Sequence, residues 1–288
     1  MNKLFFVMFL ISSGLFAKVN NPSPDAFWTY KKVEGKELKL SVFLPSDYKQ
    51  EKNFPTIVIF HGGSWRVGDP NMHYADCKYW ASRGMVAVSV SYRLKDRDNV
   101  EVPLECMKDA KSALRYLREN AKKLKIDVNK VVVAGGSAGG QLAASTGMIP
   151  KVNDSEYDLA ISAKPQAIIL YNPWFKCAKE LSPTSNVVKD LPPMIIFAGG
   201  KDPAIPLEEM VDFHKSMKEE GNQTELYIGK KGKHGFCNGR NPHNPFFYWS
   251  IKLADDFLVK QGILTGKATV KYPKNVKAIN EVDSAYYP

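Results

Sequence analysis

Cysteine is scarce in this 288-residue chain: Cys77, Cys106, Cys177 and Cys237 are widely spaced, with no C-x-x-C pair. That spacing argues against a zinc module, which needs closely spaced ligand pairs. It leaves open the three complete pairings that four cysteines allow, or free buried thiols. Beyond the first residues, no run is long and apolar enough to span a bilayer. There is no G-x-x-x-x-G-K-[ST] loop and no early Gly-rich loop with G-x-G-x-x-G spacing. A phosphate loop and a dinucleotide-dependent reductase both fail on those absences. No basic helix interleaved with aromatics appears, so the formal charge of +10 does not read as nucleic-acid binding. The lysines are scattered, with small clusters at Lys122-Lys123 and Lys230-Lys231. Solubility explains them; attraction to an anionic surface or a polyanionic glycan is the alternative. No internal repeat and no domain linker is present.

What the chain does contain begins with a targeting signal. One positive charge at Lys3 precedes an apolar run through Ile11, followed by Ser12, Ser13, Gly14 and Ala17. This reads as a secretory signal peptide over residues 1–17, too short for a comfortable membrane span. Export to the periplasm or medium is the expectation. Residues 18–26 read as a flexible leader, 27–264 as one catalytic domain and 265–288 as a polar tail.

Within the domain, β-rich runs at 27–33 and 37–44 flank Glu34-Gly35-Lys36 and predict a hairpin. Short apolar runs at 54–60, 85–90, 130–134, 165–171, 193–198 and 224–228 have the composition of strands buried on both faces. Between them, residues 102–124, 137–148, 207–220 and 245–260 have helical spacing. A hairpin followed by alternating strands and helices predicts an α/β fold, with a mostly parallel sheet and helices on both faces.

The segment Val131–Gly140 ends a β-branched run in G-x-S-x-G, formed by Gly135, Ser137 and Gly139. Such a turn presents a serine on a sharp strand-to-helix corner, where bulky neighbours would block the backbone. Taken alone, it is also compatible with a plain Gly-rich turn. Three other loops follow predicted strands: His61-Gly62-Gly63-Ser64-Trp65, Gly199-Gly200-Lys201-Asp202-Pro203 and Gly232-Lys233-His234-Gly235-Phe236. In a parallel sheet all four lie at the carboxyl edge, where ligands bind.

A serine hydroxyl needs a base, and the base needs an orienter. Of the five histidines, His234 follows the last strand between glycines and is free to reach the serine. His61 shapes a Gly loop, His73 sits in a polar loop, His214 reads as a surface residue on a helix, and His243 precedes the last helix. Asp202 is the acid of choice, since Asp190 precedes its strand and Asp212 is within a helix. The N–H groups of Gly62, Gly63 and Ala138 are the candidate oxyanion donors. Trp65, Trp174 and Phe236 are candidate pocket walls.

Together, these residues resemble the α/β-hydrolase superfamily over residues 27–262. The similarity is to the esterase and lipase group around hormone-sensitive lipase, with bacterial feruloyl and acetyl xylan esterases nearest. The resemblance implies an eight-stranded sheet, a Ser137-Asp202-His234 triad and an oxyanion hole at Gly62, Gly63 and Ala138. No metal or cofactor is called for. The chain departs from lipase-like members at Ser64, where a third glycine is usual, and at Gly136, where aspartate is usual. Both departures, and the lack of a long helical cap before Phe27, point away from lipids and toward a bulky polar ester such as an acylated carbohydrate. A peptidase or arylformamidase-like amidase of the same fold is the alternative enzyme. A catalytically silent glycan-binding protein is the alternative outside catalysis.

Overall fold

The computed structural model describes residues 22–287, so the signal peptide expected at 1–17 and residues 18–21 of the expected leader lie outside the described residues. The first two strands, β1 (Ala26–Val33) and β2 (Lys36–Phe43), pair antiparallel from Ala26↔Val42 to Val33↔Lys36. Their two-residue turn has Glu34 at φ 48° and Gly35 at φ 77°. A tight hairpin needs both central residues at positive φ, because that turn matches the twist of the strands.

The remaining strands are β3 (Phe54–Phe60), β4 (Val86–Val90), β5 (Ile126–Gly136), β6 (Ala167–Tyr171), β7 (Met194–Gly199), β8 (Thr224–Gly229) and β9 (Ser284–Tyr287). The helices are α1 (Tyr74–Ser82), α2 (Lys95–Asp98), α3 (Leu104–Glu119), α4 (Ala138–Met148), α5 (Leu207–Glu219) and α6 (Pro245–Lys260). One nine-stranded sheet runs in the order β1-β2-β4-β3-β5-β6-β7-β8-β9. It is parallel from β4 to β8 and antiparallel at both margins.

The central strands bury alternate residues in two separate cores. On one face Val58, Val131, Val133, Leu170 and Ile196 meet Leu114 of α3, Leu142 of α4 and Phe213 of α5. On the other, Ile57, Ile59, Val132, Ile169 and Phe197 meet Trp80 of α1 and Trp249 and Leu258 of α6. This two-sided burial explains the unbroken apolar runs, because each such side chain stabilises the fold by roughly 2 kcal/mol whichever face it takes. The hairpin is tied to the first face by ions. Lys31 of β1 reaches Asp109 of α3 at 2.8 Å, and Arg93 forks onto the same carboxylate at 2.8 and 2.7 Å.

Two features differ from expectation. The resemblance implied eight strands, and the ninth comes from the tail, where residues 284–287 pair antiparallel with β8. Tyr286 packs at a tilt against Tyr227, with ring centroids 4.8 Å apart, and Tyr287 meets the ring edge of His214. His214, read as a surface residue, is therefore buried, because α5 packs it toward Thr224 of β8 and β9 covers that margin. Truncation after Asp283 is expected to lower the melting temperature by about 2–6 °C, the effect of losing about 1–2 kcal/mol in a domain of this size. An unchanged scanning-fluorimetry midpoint would show that β9 adds nothing to stability.

Candidate active site

Ser137 stands between β5 and α4 with φ 53° and ψ −121°, a conformation that costs a side-chain-bearing residue about 1–3 kcal/mol. Its neighbours make that turn feasible. A Cβ on Gly135 would lie 2.1 Å from the Gly139 carbonyl oxygen, and one on Gly139 would lie 2.0 Å from that of Phe60. Neither distance is attainable, so only glycine fits at either position. The turn is then clamped from β6: the Ser137 N–H donates to Tyr171 O at 3.0 Å, and the Trp174 N–H donates to Ser137 O at 2.9 Å.

Three side chains converge here. His234 Nε2 is 2.9 Å from Ser137 Oγ, and its Nδ1 is 2.9 Å from Asp202 Oδ2. The Asp202 side chain is 2 % exposed against 32 % for His234, so the carboxylate is shielded while the imidazole opens to solvent. Asp202 Oδ1 accepts the N–H groups of Ala204 and Ile205 at 2.8 and 3.1 Å, which aims Oδ2 at the imidazole. The loops after β7 and β8 are laced together, with Gly200 N–H on Gly229 O at 2.8 Å and Lys201 N–H on Gly232 O at 2.9 Å. Bare glycines permit that approach: a Cβ on Gly199 would lie 2.6 Å from Gly232 O. The alternatives Asp190 and Asp212 take no part in this contact.

The loop after β3 reaches the same turn. A Cβ on Gly62 would lie 3.3 Å from Ser137 Cβ, so Gly62 abuts the serine. Gly62 and Gly63 line the cavity in front of Ser137, and neither N–H is used in the backbone hydrogen bonds of the loop. Ala138 opens α4, where the first N–H groups of a helix lack intrahelical partners. His61 shapes this loop, as expected from the sequence. Its ring stacks on Tyr92 at 4.3 Å, its carbonyl accepts the Tyr92 hydroxyl at 2.7 Å, and Gly68 is bare because a Cβ would strike the imidazole at 2.5 Å. Burial pushes the His61 pKa down to about 4, so the ring is neutral at physiological pH.

The expected pocket walls are not where the aromatics were placed. The cavity encloses about 330 Å³ and is lined by Met72, His73, Tyr171, Asn172, Asn238 and Arg240 together with the serine, histidine and Gly-rich loops. Trp65 packs in the core under α3 and α4, and Phe236 in the core under α6. Trp174 is half-buried against the first of these cores, its indole N–H bound to Lys176 O at 3.1 Å, and it serves the turn through its backbone. His73, read as a polar-loop residue, is buried at the cavity wall. Asn172 had a legible signal, since it directly follows a strand at the active edge, the same reasoning that singled out Trp174. All four cysteines are free; Cys77, Cys106 and Cys237 are buried, and burial raises each thiol pKa. No group of His, Cys, Asp and Glu among the described residues is arranged to hold a metal ion.

A serine on a strained elbow, hydrogen-bonded to an imidazole that a shielded carboxylate orients, is equipped for nucleophilic attack on a carbonyl. Comparison with known proteins agrees with that class. The family model described as BD-FAE matches residues 40–169. Esterase 2 of Thermogutta terrifontis in its apo form is 39% identical with a TM-score of 0.81, over 86% of this chain and 98% of that one. The same esterase has been solved with propionate and with butyrate bound. Among curated relatives, the AB hydrolase superfamily protein C1039.03 of Schizosaccharomyces pombe is 36% identical and esterase LipI of Mycobacterium tuberculosis 32%, each over 36% of this chain. The matched stretches span 30% and 32% of those two relatives. This chain belongs to the α/β-hydrolase superfamily. Within it, the chain falls among the serine esterases of the hormone-sensitive-lipase-like branch.

Neutral His61 carries a pH prediction. Its pKa is about 4 when folded, against 6.5 for a free imidazole, so the unfolded chain binds the extra proton between those values. Stability from this group is full above pH 6.5 and is lost as pH falls toward 4, by roughly 3 kcal/mol in all. In urea titrations, His61→Asn should lose roughly 2–3 kcal/mol less than the parent between pH 7 and 4.5. Equal losses would show that His61 does not carry the effect.

Proposed function

We propose that this chain is an exported serine esterase that removes short acyl groups, acetyl first and feruloyl as the variant, from carbohydrate. The observation that carries the chemistry is the relay at 2.9 and 2.9 Å from Ser137 through His234 to Asp202. In this reading His234 Nε2 takes the Ser137 proton as Oγ attacks the ester carbonyl. The Gly62, Gly63 and Ala138 N–H groups stabilise the oxyanion, and each such donor contributes on the order of a hundredfold in rate. Collapse of the tetrahedral intermediate expels the alcohol, protonated by His234. Water activated by the same imidazole then releases the acid and restores the serine. Asp202 keeps the proton on Nδ1 and stabilises the imidazolium throughout.

Several observations support the finer assignment. The cavity of about 330 Å³ suits a short acyl group, and its wall carries His73, Asn172, Asn238 and Arg240 beside the apolar Met72 and Tyr171. The BD-FAE match agrees with the feruloyl and acetyl xylan esterase resemblance. Propionate and butyrate bound to the Thermogutta esterase are short acids. Export rests on the N-terminal run alone; the buried thiols of Cys77, Cys106 and Cys237 are compatible with an oxidising compartment because they are shielded from reagents.

Ser137→Ala is expected to lower p-nitrophenyl acetate hydrolysis by at least about a thousandfold. A fluorophosphonate probe should label the parent and not the variant. Activity close to the parent in Ser137→Ala would sink the mechanism, and a parent that resists the probe would favour the silent glycan-binding alternative. Acetylated xylan and p-nitrophenyl acetate should be cut in preference to long-chain esters; the reverse order would overturn the carbohydrate assignment.

A further inference from the structure

Two polar side chains at the cavity wall have no part in the relay. His73 is 6 % exposed and Asn172 is 3 % exposed, yet both line the cavity beside Ser137. Neither the Asn172 amide nor His73 Nε2 makes a hydrogen bond to another described residue. Both line the cavity, so their polar atoms are open to a ligand there rather than committed to a partner within the protein.

Their placement is local to the serine. Asn172 lies between Tyr171, whose carbonyl accepts the Ser137 N–H, and Trp174, whose N–H donates back to Ser137 O. Its backbone is left-handed, at φ 38°, and is held by its own N–H on Phe197 O at 2.7 Å. Asparagine accepts that conformation more readily than other side-chain-bearing residues. His73 approaches from the other side: a Cβ on Gly136 would lie 3.9 Å from His73 Cε1 and Nε2. Gly136 is the position where lipase-like relatives carry aspartate, and its bare Cα leaves the His73 ring open to the cavity. Behind the ring, His73 Nδ1 lies 3.4 Å from Asp76 Oδ2, an ion-pair distance without hydrogen-bond alignment. Asp76 is itself 2 % exposed. A carboxylate on that side favours the proton on Nδ1 and leaves Nε2 as an acceptor.

We propose that His73, with Asp76 behind it, and Asn172 form a subsite for a hydroxyl group on the alcohol half of the ester, next to the bond that is cut. The chemistry is complementary: the substrate hydroxyl donates to His73 Nε2 and accepts from the Asn172 amide. A carbohydrate presents such a hydroxyl on the carbon beside the acylated one, whereas a simple alkyl ester does not. The proposal rests on the esterase reading above and adds to it which part of the substrate is recognised and by which residues. Asp76 is a positioning residue, and His73 and Asn172 are specificity residues.

An isosteric pair tests it. 2-Hydroxyethyl acetate and n-propyl acetate share the acyl group and differ only in a hydroxyl for a methyl. The ratio of their kcat/KM values, followed by pH-stat, should exceed one by at least about tenfold in the parent, since a site built to bind a hydroxyl rejects the analogue lacking it. His73→Phe and Asn172→Gly should each bring the ratio down by about tenfold, and glycine accepts the left-handed backbone without strain. His73→Gln, which keeps a polar group, should retain part of it. Any loss of folded protein cancels in the ratio, because the same molecules cut both esters. A parent ratio near one, or a ratio that His73→Phe and Asn172→Gly leave unchanged, overturns the subsite. Hydrolysis of neither ester, or activity that survives Ser137→Ala, overturns the esterase reading itself.

Discussion

The left-handed backbone of Ser137 is the constraint on which the rest of this molecule depends. Holding a side-chain-bearing residue at φ 53° requires carbonyls and amides on both sides to fix it, and neighbours without side chains to make room. Gly135 and Gly139 meet backbone at distances no Cβ tolerates, and Gly140 would strike Pro173 at 2.7 Å. The turn therefore binds β3, β5, β6 and α4 into one rigid corner. That corner sits at the carboxyl edge of the sheet, where the loops after β3, β7 and β8 also end. The Gly-rich character of all four loops has one cause: backbone must pass close to backbone for the hydroxyl, imidazole, carboxylate and donor N–H groups to meet.

The energy that holds this corner comes from the two cores. Alternate residues of β3, β5 and β6 feed opposite faces, so a run such as Val131–Val133 is apolar throughout. Those runs stand out in the sequence because burial on both faces leaves little room for polar residues, with Thr56 of β3 and Ser89 of β4 the buried exceptions. The helices α3, α4, α5 and α6 were legible from their spacing. Helix α1 was not, because its buried positions mix Cys77 and Trp80 with Asp76, which breaks the apolar stripe. Strand β9 was not legible either. Its four residues are set as a strand by the free edge of β8, a partner 55 to 61 residues away in sequence.

Within the site, residues whose placement follows from order along the chain were readable. Ser137, Asp202 and His234 each end or follow a strand, and parallel topology brings such positions together. Residues whose roles depend on where a side chain points were misread. Trp65 and Phe236 were taken for pocket walls because they flank the Gly loops, but a large aromatic at a loop base gains more by turning into a core. His73 was passed over as part of a polar loop, although the 3₁₀ turn Pro70–His73 delivers its ring to the cavity. The cluster of Lys31, Arg93 and Asp109 escaped notice for the same reason, since its members are spread across β1, the loop after β4 and α3.

The sequence by itself determined the alternation of strands and helices, the elbow at Ser137 and the chain order of the three groups that meet there. These are consequences of local chemistry: two-sided burial, glycine where only glycine fits, and loops at one edge of a parallel sheet. The tertiary structure alone decided which face each aromatic takes, that the tail closes the sheet, and that His73 and Asn172 are brought to the wall beside the serine. Those outcomes depend on competition between distant segments for the same buried volume, and no local pattern of residues records that competition.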